Sequence, residues 1–191
     1  MPLDWDICRK KVSALNIVET SRILDIGSKN NEKANYVIDK GQLILSDISS
    51  KNISFQNIFP FLLSDAAHLP FSDNFFDLVT MFHVLEHIKD SGAVLAEIYR
   101  ILKKNGTLLM VTPNANRLTK IYSSILKIVN KSPYKYPLNP DHFFEYNASD
   151  IKDIMNNSEF ENYKIEPVFM RLSSFLRIRK YCDQWIVTAQ K

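Results

Sequence analysis

Glycine is the residue type that this sequence lacks most clearly. It has four, Gly27, Gly41, Gly92 and Gly106, about 2% of the chain against a typical share of about 7%. A loop that passes close to a ligand therefore has few positions that reach positive φ without strain. Asparagine, which also tolerates a left-handed backbone, is abundant instead.

Cysteine and long apolar runs are also scarce. Cys8 and Cys182 are the only cysteines, too few for a disulfide framework or a cysteine-based zinc site. No apolar run approaches the roughly 20 residues that span a bilayer. The segment MPLDWDICRKK lacks the apolar centre of a signal peptide. These absences predict a cytoplasmic protein without a transmembrane segment.

The chain carries no marked excess of one charge. Its 24 Lys and Arg residues nearly balance 21 Asp and Glu, a net charge of +3, which is too small to indicate a nucleic-acid partner. A content of 46% apolar and 24% charged residues is typical of a folded globular protein. We expect a single domain over residues 1–191, and nothing in the sequence indicates its oligomeric state.

Apolar segments of strand length alternate with segments of helical periodicity. The predicted strands cover residues 22–28, 42–49, 59–71, 72–85, 107–114, 163–170 and 184–191. The predicted helices cover residues 5–17, 90–106, 116–130 and 148–157, the second closed by Asn105–Gly106. The alternation predicts an α/β fold, a parallel sheet with helices on both faces.

Three aspartates, Asp25, Asp47 and Asp65, fall at the carboxyl ends of the first three predicted strands. In an open α/β sheet those strand ends form the ligand crevice. An acid at the second strand end is placed to bind a ribose hydroxyl pair, and Asp65, before the small Ala66 and Ala67, an exocyclic amine. The pattern predicts an adenosine site; the alternative is that each aspartate caps the following helix.

The segment HVLEH, residues 83–87, allows two interpretations. As His-x-x-Glu-His it matches an inverted zinc-protease signature, which requires both histidines on one continuous helix. The apolar, β-rich FFDLVTMF directly before His83 instead predicts a strand that ends at the mouth of the crevice. We therefore expect no metal site here.

Four segments together resemble the class I S-adenosylmethionine-dependent methyltransferases, in particular the broad small-molecule type called methyltransferase type 11. They are ILDIGS, LSDIS, SDAAHLPFSDNFFDLVTMFHVLEHI and EIYRILKKNGTLLMVTPN. The resemblance is close over residues 20–114 and continues loosely through DHFFEYNASDIKDIM. It implies a Rossmann-like, seven-stranded, mostly parallel sheet of order 3-2-1-4-5-7-6 whose last strand is antiparallel.

The resemblance also implies S-adenosylmethionine as cofactor and assigns residues to it. By this resemblance the methionine end is held at Asp25, Gly27 and Ser28, the ribose at Asp47 and Ile48, and the adenine at Asp65 and Ala66, with Phe82 and His83 contacting the methionine portion through their backbone. The family implies an enzyme, a methyltransferase, for this chain.

The first loop departs from the family pattern. The family has Asp-x-Gly-x-Gly-x-Gly, whereas this chain reads Asp25-Ile-Gly27-Ser-Lys29-Asn-Asn31 and lacks two of the three glycines. Asn30 and Asn31 tolerate positive φ, but Lys29 brings a Cβ and a long side chain. Either Lys29 points to solvent or cofactor affinity is weakened, and the second outcome leaves a binding or regulatory module with weak or no catalysis.

Methyl transfer needs alignment and exclusion of water more than a dedicated catalytic group, so no catalytic residue is singled out. If a proton must be removed, His83, His87 and His142 are the candidates for the base. We expect His87, Asn114 and His142 to contact the substrate. For His83 a structural role is the alternative.

The acceptor is expected to be chosen by segments outside the shared core. Residues 114–147, rich in Tyr, Lys and Pro, are predicted to form a substrate-cap insertion. A small molecule or a glycan or lipid precursor is the predicted acceptor. RNA is an alternative, because residues 169–182 interleave basic and aromatic side chains that fit phosphate and bases.

Overall fold

The fold is given by a computed structural model, which describes residues 5–28, 41–49, 59–117, 143–169, 178–179 and 182–191. The strands in these ranges are β1 (Arg22–Ile26), β2 (Gln42–Asp47), β3 (Phe61–Leu63), β4 (Phe76–Phe82), β5 (Leu102–Pro113), β6 (Asn162–Val168) and β7 (Gln184–Gln190). The helices are α1 (Trp5–Ser13), α2 (Ser91–Ile101) and α3 (Ala148–Asn156), with a short 3-10 helix at Leu85–His87.

The seven strands form one sheet in the order β3-β2-β1-β4-β5-β7-β6. Strands β1 to β5 pair in parallel, while β7 runs antiparallel to both of its neighbours, β5 and β6. The predicted Rossmann-like sheet, its strand order and its antiparallel last strand are confirmed. None of the described helices is long and apolar enough to cross a bilayer.

Apolar side chains pack in a layer on each side of the sheet. The layer under α2 and α3 includes Ile98 and Ile151, both with no exposed surface. The layer under α1 includes Cys8 and Val12, each 1% exposed. Each helix is held mainly by burial of one apolar face against the strands. The predicted placement of helices on both faces is therefore confirmed.

The helix predicted over residues 90–106 is wrong at its carboxyl end. Helix α2 stops at Ile101, because Leu102 has an extended backbone and pairs with Phe76 of β4. The predicted cap at Asn105–Gly106 does contain a positive φ, 64° at Asn105, but it lies within β5. There it accompanies a shift of register against β4 rather than a helix end.

Two other predicted boundaries also move. Helix α1 ends at Ser13, short of the predicted residue 17, and the third strand keeps three residues of the predicted 59–71. Beyond the strand, Arg100 binds the carbonyl oxygens of Leu69 and Phe71 and ties this part of the chain to α2 as a loop. The predicted helix over 116–130 lies outside the described residues.

We expect Gly41→Ala to lower the free energy of unfolding by about 1–3 kcal/mol. Gly41 has a φ of 78°, and a Cβ there would lie 2.6 Å from the carbonyl oxygen of Ser21, a backbone atom that cannot rotate away. Urea unfolding with an unchanged m-value is the measurement.

Gly92→Ala is the matched control. Gly92 lies in the first turn of α2, where a Cβ would meet only Asp90 Oδ1 at 3.4 Å. The substitution restricts the unfolded chain, so we expect it to stabilise the protein by about 0.4–1 kcal/mol. Equal changes in the free energy of unfolding, in the same direction for both variants, would contradict the strain expected at Gly41.

Candidate functional site: the carboxyl edge of the sheet

The three aspartates lie at the carboxyl ends of neighbouring parallel strands: Asp25 is the next-to-last residue of β1, Asp47 is the last residue of β2, and Asp65 follows β3 by two residues. In the register of the sheet Asp25 lies opposite Leu45, and Asp47 lies opposite Leu63. Because β1, β2 and β3 run in the same direction, their carboxyl ends meet at one edge. The edge that the sequence predicts for an adenosine is therefore present in the fold.

Asp25 is fixed by the neighbouring strand. Its side chain is buried, and Oδ1 accepts a hydrogen bond of 2.7 Å from Thr80 Oγ1, which lies directly opposite on β4. A buried carboxylate needs such donors to offset its lost hydration. The position of this carboxylate at the end of β1 is thus set before any ligand binds. Its predicted role toward the methionine end stays a prediction.

The turn after β1 has a positive φ at Gly27, 75°, as the resemblance requires. The N–H groups of Gly27 and Ser28 both donate to Ser46 O, at 2.7 and 3.1 Å. A Cβ at Gly27 would lie 2.2 Å from Val84 Cγ2, in the loop after β4. The turn therefore packs directly against the His83 loop. Lys29, Asn30 and Asn31 lie outside the described residues.

Asp47 and Ile48 form the next part of the edge. Asp47 is 7% exposed and its Oδ1 accepts from Ser49 N at 2.9 Å. A carboxylate has about four lone-pair positions on its two oxygens, the kind of acceptor that a pair of hydroxyl donors requires. Ile48 is 74% exposed. An acid beside an uncovered apolar side chain fits the polar ribose and flat base of an adenosine.

Asp65 and Ala66 lie in an exposed turn after β3. Asp65 Oδ1 accepts from Ala67 N at 2.9 Å, and its carbonyl oxygen accepts from His68 N at 3.0 Å. This local bonding is what the alternative interpretation, an aspartate that organises the following turn, expects. The second carboxylate oxygen has capacity for a further donor, and the predicted contact with adenine stays a prediction.

The interpretation of HVLEH as a strand end is confirmed. Phe82, which is 3% exposed, ends β4, and His83 follows it with a φ of 55°, its N–H donating to Val111 O at 2.8 Å. The short 3-10 helix Leu85–His87 comes after this turn. The two histidines are therefore not on one continuous helix. Within the part of the chain that the structure describes, no cluster of three metal-ligating side chains occurs.

Glu86 links this turn to β5. It is fully buried; Oε1 lies 3.1 Å from His83 Nδ1, and Oε2 accepts from Thr112 Oγ1 at 3.2 Å. Burial raises the pKa of Glu86, but the hydrogen bond with His83 and the nearby charges of His83 and His87 outweigh it, so the pKa lies below 4.5. The sequence interpretation gave Glu86 no role beyond the local turn.

Gln184 is a second residue that the sequence does not reveal. Its Nε2 lies 3.1 Å from His83 Nε2, although 101 residues separate the two. The contact exists because Gln184 begins β7 and pairs with Pro113 at the carboxyl end of β5. No local motif marks a partner that only the antiparallel return of β7 supplies.

The predicted substrate residues lie in different environments. Asn114 is fully buried; its Nδ2 donates to Cys182 O at 2.8 Å and its Oδ1 accepts from Asn116 N at 3.1 Å, so its side chain holds backbone together. His87 is half-buried at the end of the 3-10 helix, next to the edge. His142 lies outside the described residues. Their contact with a substrate stays a prediction.

Two aromatic residues adjoin the same turn. The N–H groups of Phe143 and Phe144 donate to Glu86 O, at 2.9 and 3.2 Å. Their side chains are 54% and 47% exposed. The ammonium of Lys89 lies 4.9 Å from the centre of the Phe143 ring. The two hydrogen bonds to Glu86 O anchor this largely exposed aromatic pair on the residue whose side chain binds His83. Most of the predicted cap over 114–147 lies outside the described residues.

A family model described as a methyltransferase domain matches residues 6–165 of this chain. That span contains β1 to β5, the three aspartates and the His83 turn. The chain therefore belongs to the methyltransferase-domain family, and it is an enzyme of the S-adenosylmethionine-dependent methyltransferase class. S-adenosylmethionine is its cofactor. The exposed Ile48 beside Asp47 and the positive φ of Gly27 suit that cofactor.

Relatives with assigned names agree on the class. The chain is 27% identical over 179 residues to a ubiquinone/menaquinone biosynthesis C-methyltransferase of Psychromonas ingrahamii, covering 80% of this chain and 71% of that protein. It is 31% identical over 126 residues to the protein of the same name from Neisseria meningitidis. The second match covers 60% of this chain and about half, 49%, of the relative.

Solved structures share the fold. A crystal structure of an S-adenosylmethionine-dependent methyltransferase from Archaeoglobus fulgidus is similar with a TM-score of 0.73 at 19% identity, over 98% of this chain and 95% of the other. Phosphoethanolamine N-methyltransferase 2 of Haemonchus contortus, in complex with S-adenosylmethionine, is similar with a TM-score of 0.70 at 16% identity. The match covers 97% of this chain and 52% of the other. At these identities the likeness concerns the fold.

We expect Glu86→Gln to reduce the free energy of unfolding by about 1–3 kcal/mol at neutral pH, because it weakens a buried hydrogen-bonded network. The folded-state pKa of Glu86 is lowered, so the carboxylate stabilises the fold above its ordinary pKa of 4.5. That contribution is lost as pH falls through the folded value. The difference between wild type and variant should therefore shrink below pH 4.5.

Urea unfolding of both proteins between neutral and acidic pH measures this difference. Glu159→Gln, at an exposed position, is the control and should differ little from wild type at every pH. A difference for Glu86→Gln that stays constant or grows as the pH falls would contradict the assigned ionisation.

Proposed function

We propose that this methyltransferase transfers the methyl group to a small molecule with an apolar aromatic ring that carries a hydroxyl group. The observation that carries the proposal is the exposed pair Phe143 and Phe144, fastened through Glu86 O to the carboxyl edge of the sheet. Exposed aromatic side chains beside a polar edge favour a flat apolar ligand. Such an acceptor belongs to the predicted small-molecule and lipid-precursor class.

The relatives support an acceptor of this kind. Their name, ubiquinone/menaquinone biosynthesis C-methyltransferase, describes methylation of a carbon atom in quinone synthesis. Sequence identity of 27% leaves room for another acceptor in this chain. A phosphoethanolamine-like acceptor, suggested by one structural neighbour, is the comparison to test against. It would call for cationic phosphate-binding groups rather than an aromatic pair.

The residues that hold the cofactor are also part of the proposal. S-adenosylmethionine, when bound, supplies a methyl group activated as a sulfonium. Asp47 and Ile48 bind its ribose side, and Asp65 and Ala66 its adenine. The methionine end lies by Asp25, Gly27, Ser28, Phe82 and His83. Held along one edge, these groups orient the ligand and exclude water, and good alignment can remove about 7–11 kcal/mol of a reaction barrier.

We expect Asp47→Ala to weaken binding of S-adenosylmethionine at least tenfold. A hydrogen bond to a charged group contributes about 1.5–3 kcal/mol, and about 1.4 kcal/mol is a factor of ten in affinity. Isothermal titration calorimetry measures the change. Asp153→Ala, at an exposed position on α3, is the control, because it removes the same charge away from the proposed site. If the wild type does not bind S-adenosylmethionine at millimolar concentration, the result would favour the alternative function, a binding or regulatory module with weak or no catalysis.

We expect the wild type to methylate 1,4-dihydroxynaphthalene in preference to phosphoethanolamine or RNA, with release of S-adenosylhomocysteine as the measurement. Phe143→Ala should raise KM for the naphthalene about tenfold, because burial of a Phe side chain is worth about 1.5–3 kcal/mol. Val18→Ala, at a position 59% exposed before β1, is the control. Turnover of phosphoethanolamine alone, or an unchanged KM in Phe143→Ala, would overturn the aromatic acceptor.

A further inference from the structure

His83 has a partner on each ring nitrogen. Nδ1 lies 3.1 Å from Glu86 Oε1, and Nε2 lies 3.1 Å from Gln184 Nε2. The ionised carboxylate of Glu86 can only accept, which favours the ring proton on Nδ1, and Nε2 is then the acceptor for the Gln184 amide. A carboxylate on Nδ1 and a lone pair on Nε2 is the arrangement of a histidine that takes up a proton.

The imidazole is also reachable. The side chain of His83 is 20% exposed, whereas Glu86 at its Nδ1 and Gln184 at its Nε2 are fully buried, so an acceptor reaches Nε2 only where Gln184 gives way. His83 directly follows β4, and its neighbour Val84 packs over Gly27, in the turn predicted to hold the methionine end of the cofactor. Phe143 and Phe144 bind the backbone of Glu86 on the same turn. The turn that carries the ring therefore contacts both the proposed cofactor edge, through Val84, and the proposed acceptor residues, through Glu86 O.

The backbone of His83 is held in an unfavourable conformation. Its φ of 55° lies in the left-handed region, which is uncommon for residues other than glycine. Such a conformation persists only when the surroundings enforce it, and it is found most often at functional sites. Here the N–H of His83 is bound to Val111 O and both ring nitrogens have partners.

We propose that His83 is a catalytic residue that accepts the proton of the methyl acceptor on Nε2, and that Glu86 is a positioning residue that holds its tautomer. The inference rests on the proposed function, a hydroxylated aromatic acceptor. The hydroxyl of such an acceptor displaces the amide of Gln184 from Nε2. The predicted backbone contact of His83 with the cofactor is compatible with this role, because the ring, not the backbone, meets the acceptor.

The step balances without a further reactant. The O–H bond of the acceptor breaks and its proton moves to His83 Nε2. The acceptor atom is either this oxygen or a ring carbon that the oxygen activates. It forms a bond to the methyl carbon while the bond between that carbon and sulfur breaks. The electron pair of the broken bond stays on sulfur. Methylation at a ring carbon then also releases the proton of that carbon, and the hydroxyl regains one. The imidazolium, paired with Glu86, returns its proton to solvent.

Few other titratable groups face this pair. Among the residues that the structure describes, those with an electrostatic effect on or from Glu86 are His87 on the 3-10 helix and Tyr146 before α3, with Asp150 beyond. Burial, and then the negative charges of Glu86 and Asp150, raise the pKa of Tyr146 to about 12. Tyr146 therefore stays protonated across the working range. His87 is the residue whose NMR signals must be distinguished from those of His83.

The first test reads the tautomer without any acceptor. In the wild-type protein labelled with 15N-histidine, NMR of the neutral ring should show His83 protonated at Nδ1 with a lone pair on Nε2. In Glu86→Gln this preference should weaken toward a mixture of tautomers. The variant His87→Asn removes the signals of the neighbouring histidine and so helps to assign those of His83. A neutral His83 protonated at Nε2 in the wild type would overturn the proposal, whatever the activity.

The second test compares His83→Asn with wild type, using 1,4-dihydroxynaphthalene as the acceptor. Asparagine tolerates positive φ, so it preserves the turn. General acid–base catalysis contributes about 10²–10⁴-fold, and we expect kcat/KM to fall at least 100-fold with loss of the rise in rate on the acidic side of the pH profile. Affinity for S-adenosylmethionine should change less than threefold. The exposed His68→Asn is the control.

The outcomes of these tests distinguish failure of the catalytic role of His83 from failure of the proposed acceptor class. Loss of cofactor affinity in parallel with activity would make His83 a cofactor contact and overturn the catalytic role. Unchanged kcat/KM in His83→Asn would do the same. A wild type that methylates none of the tested acceptors contradicts the proposed acceptor class, and the NMR result then decides on the tautomer by itself.

Discussion

The site depends on the parallel register of β1 between β2 and β4. That register places Asp25 opposite Thr80 on one side and opposite Leu45 on the other, so the strands reach the same edge together. A shift by one residue would turn Asp25 to the opposite face of the sheet and remove its bond to Thr80. The register is specified by the buried apolar side chains of β1, since Ile23 and Leu24 face opposite layers and neither is exposed.

Positive φ shows how a glycine-poor chain builds such an edge. Among the described residues it occurs at two glycines and at Asn74, His83 and Asn105. The glycines lie where a Cβ would collide, 2.2 Å from Val84 at Gly27 and 2.6 Å from Ser21 O at Gly41. Where space allows, asparagine or histidine adopts the same backbone. At these described positions the backbone conformation is therefore kept and the Cβ is accommodated.

The fold could be read from the sequence further than the site could. The aspartates at the edge follow from apolar periodicity, and the strand order follows from the family resemblance; both signals are local in the chain. The end of α2 was missed because Leu102 fits a helix by pattern, while its pairing with Phe76 is a tertiary contact that outweighs that preference. Gln184 was missed for the same reason, because its contact with His83 arises only when β7 returns beside β5.

Glu86 shows why the site is harder to predict than the sheet. Within HVLEH it reads as a polar residue of a surface turn, yet it is fully buried and binds both His83 and Thr112. A buried carboxylate without partners would cost several kcal/mol, so its place in the interior requires the histidine and the threonine together. The arrangement that satisfies Glu86 is the one that sets the proton on His83 Nδ1. Stability of the turn and the protonation state at the acceptor edge are therefore consequences of one buried charge.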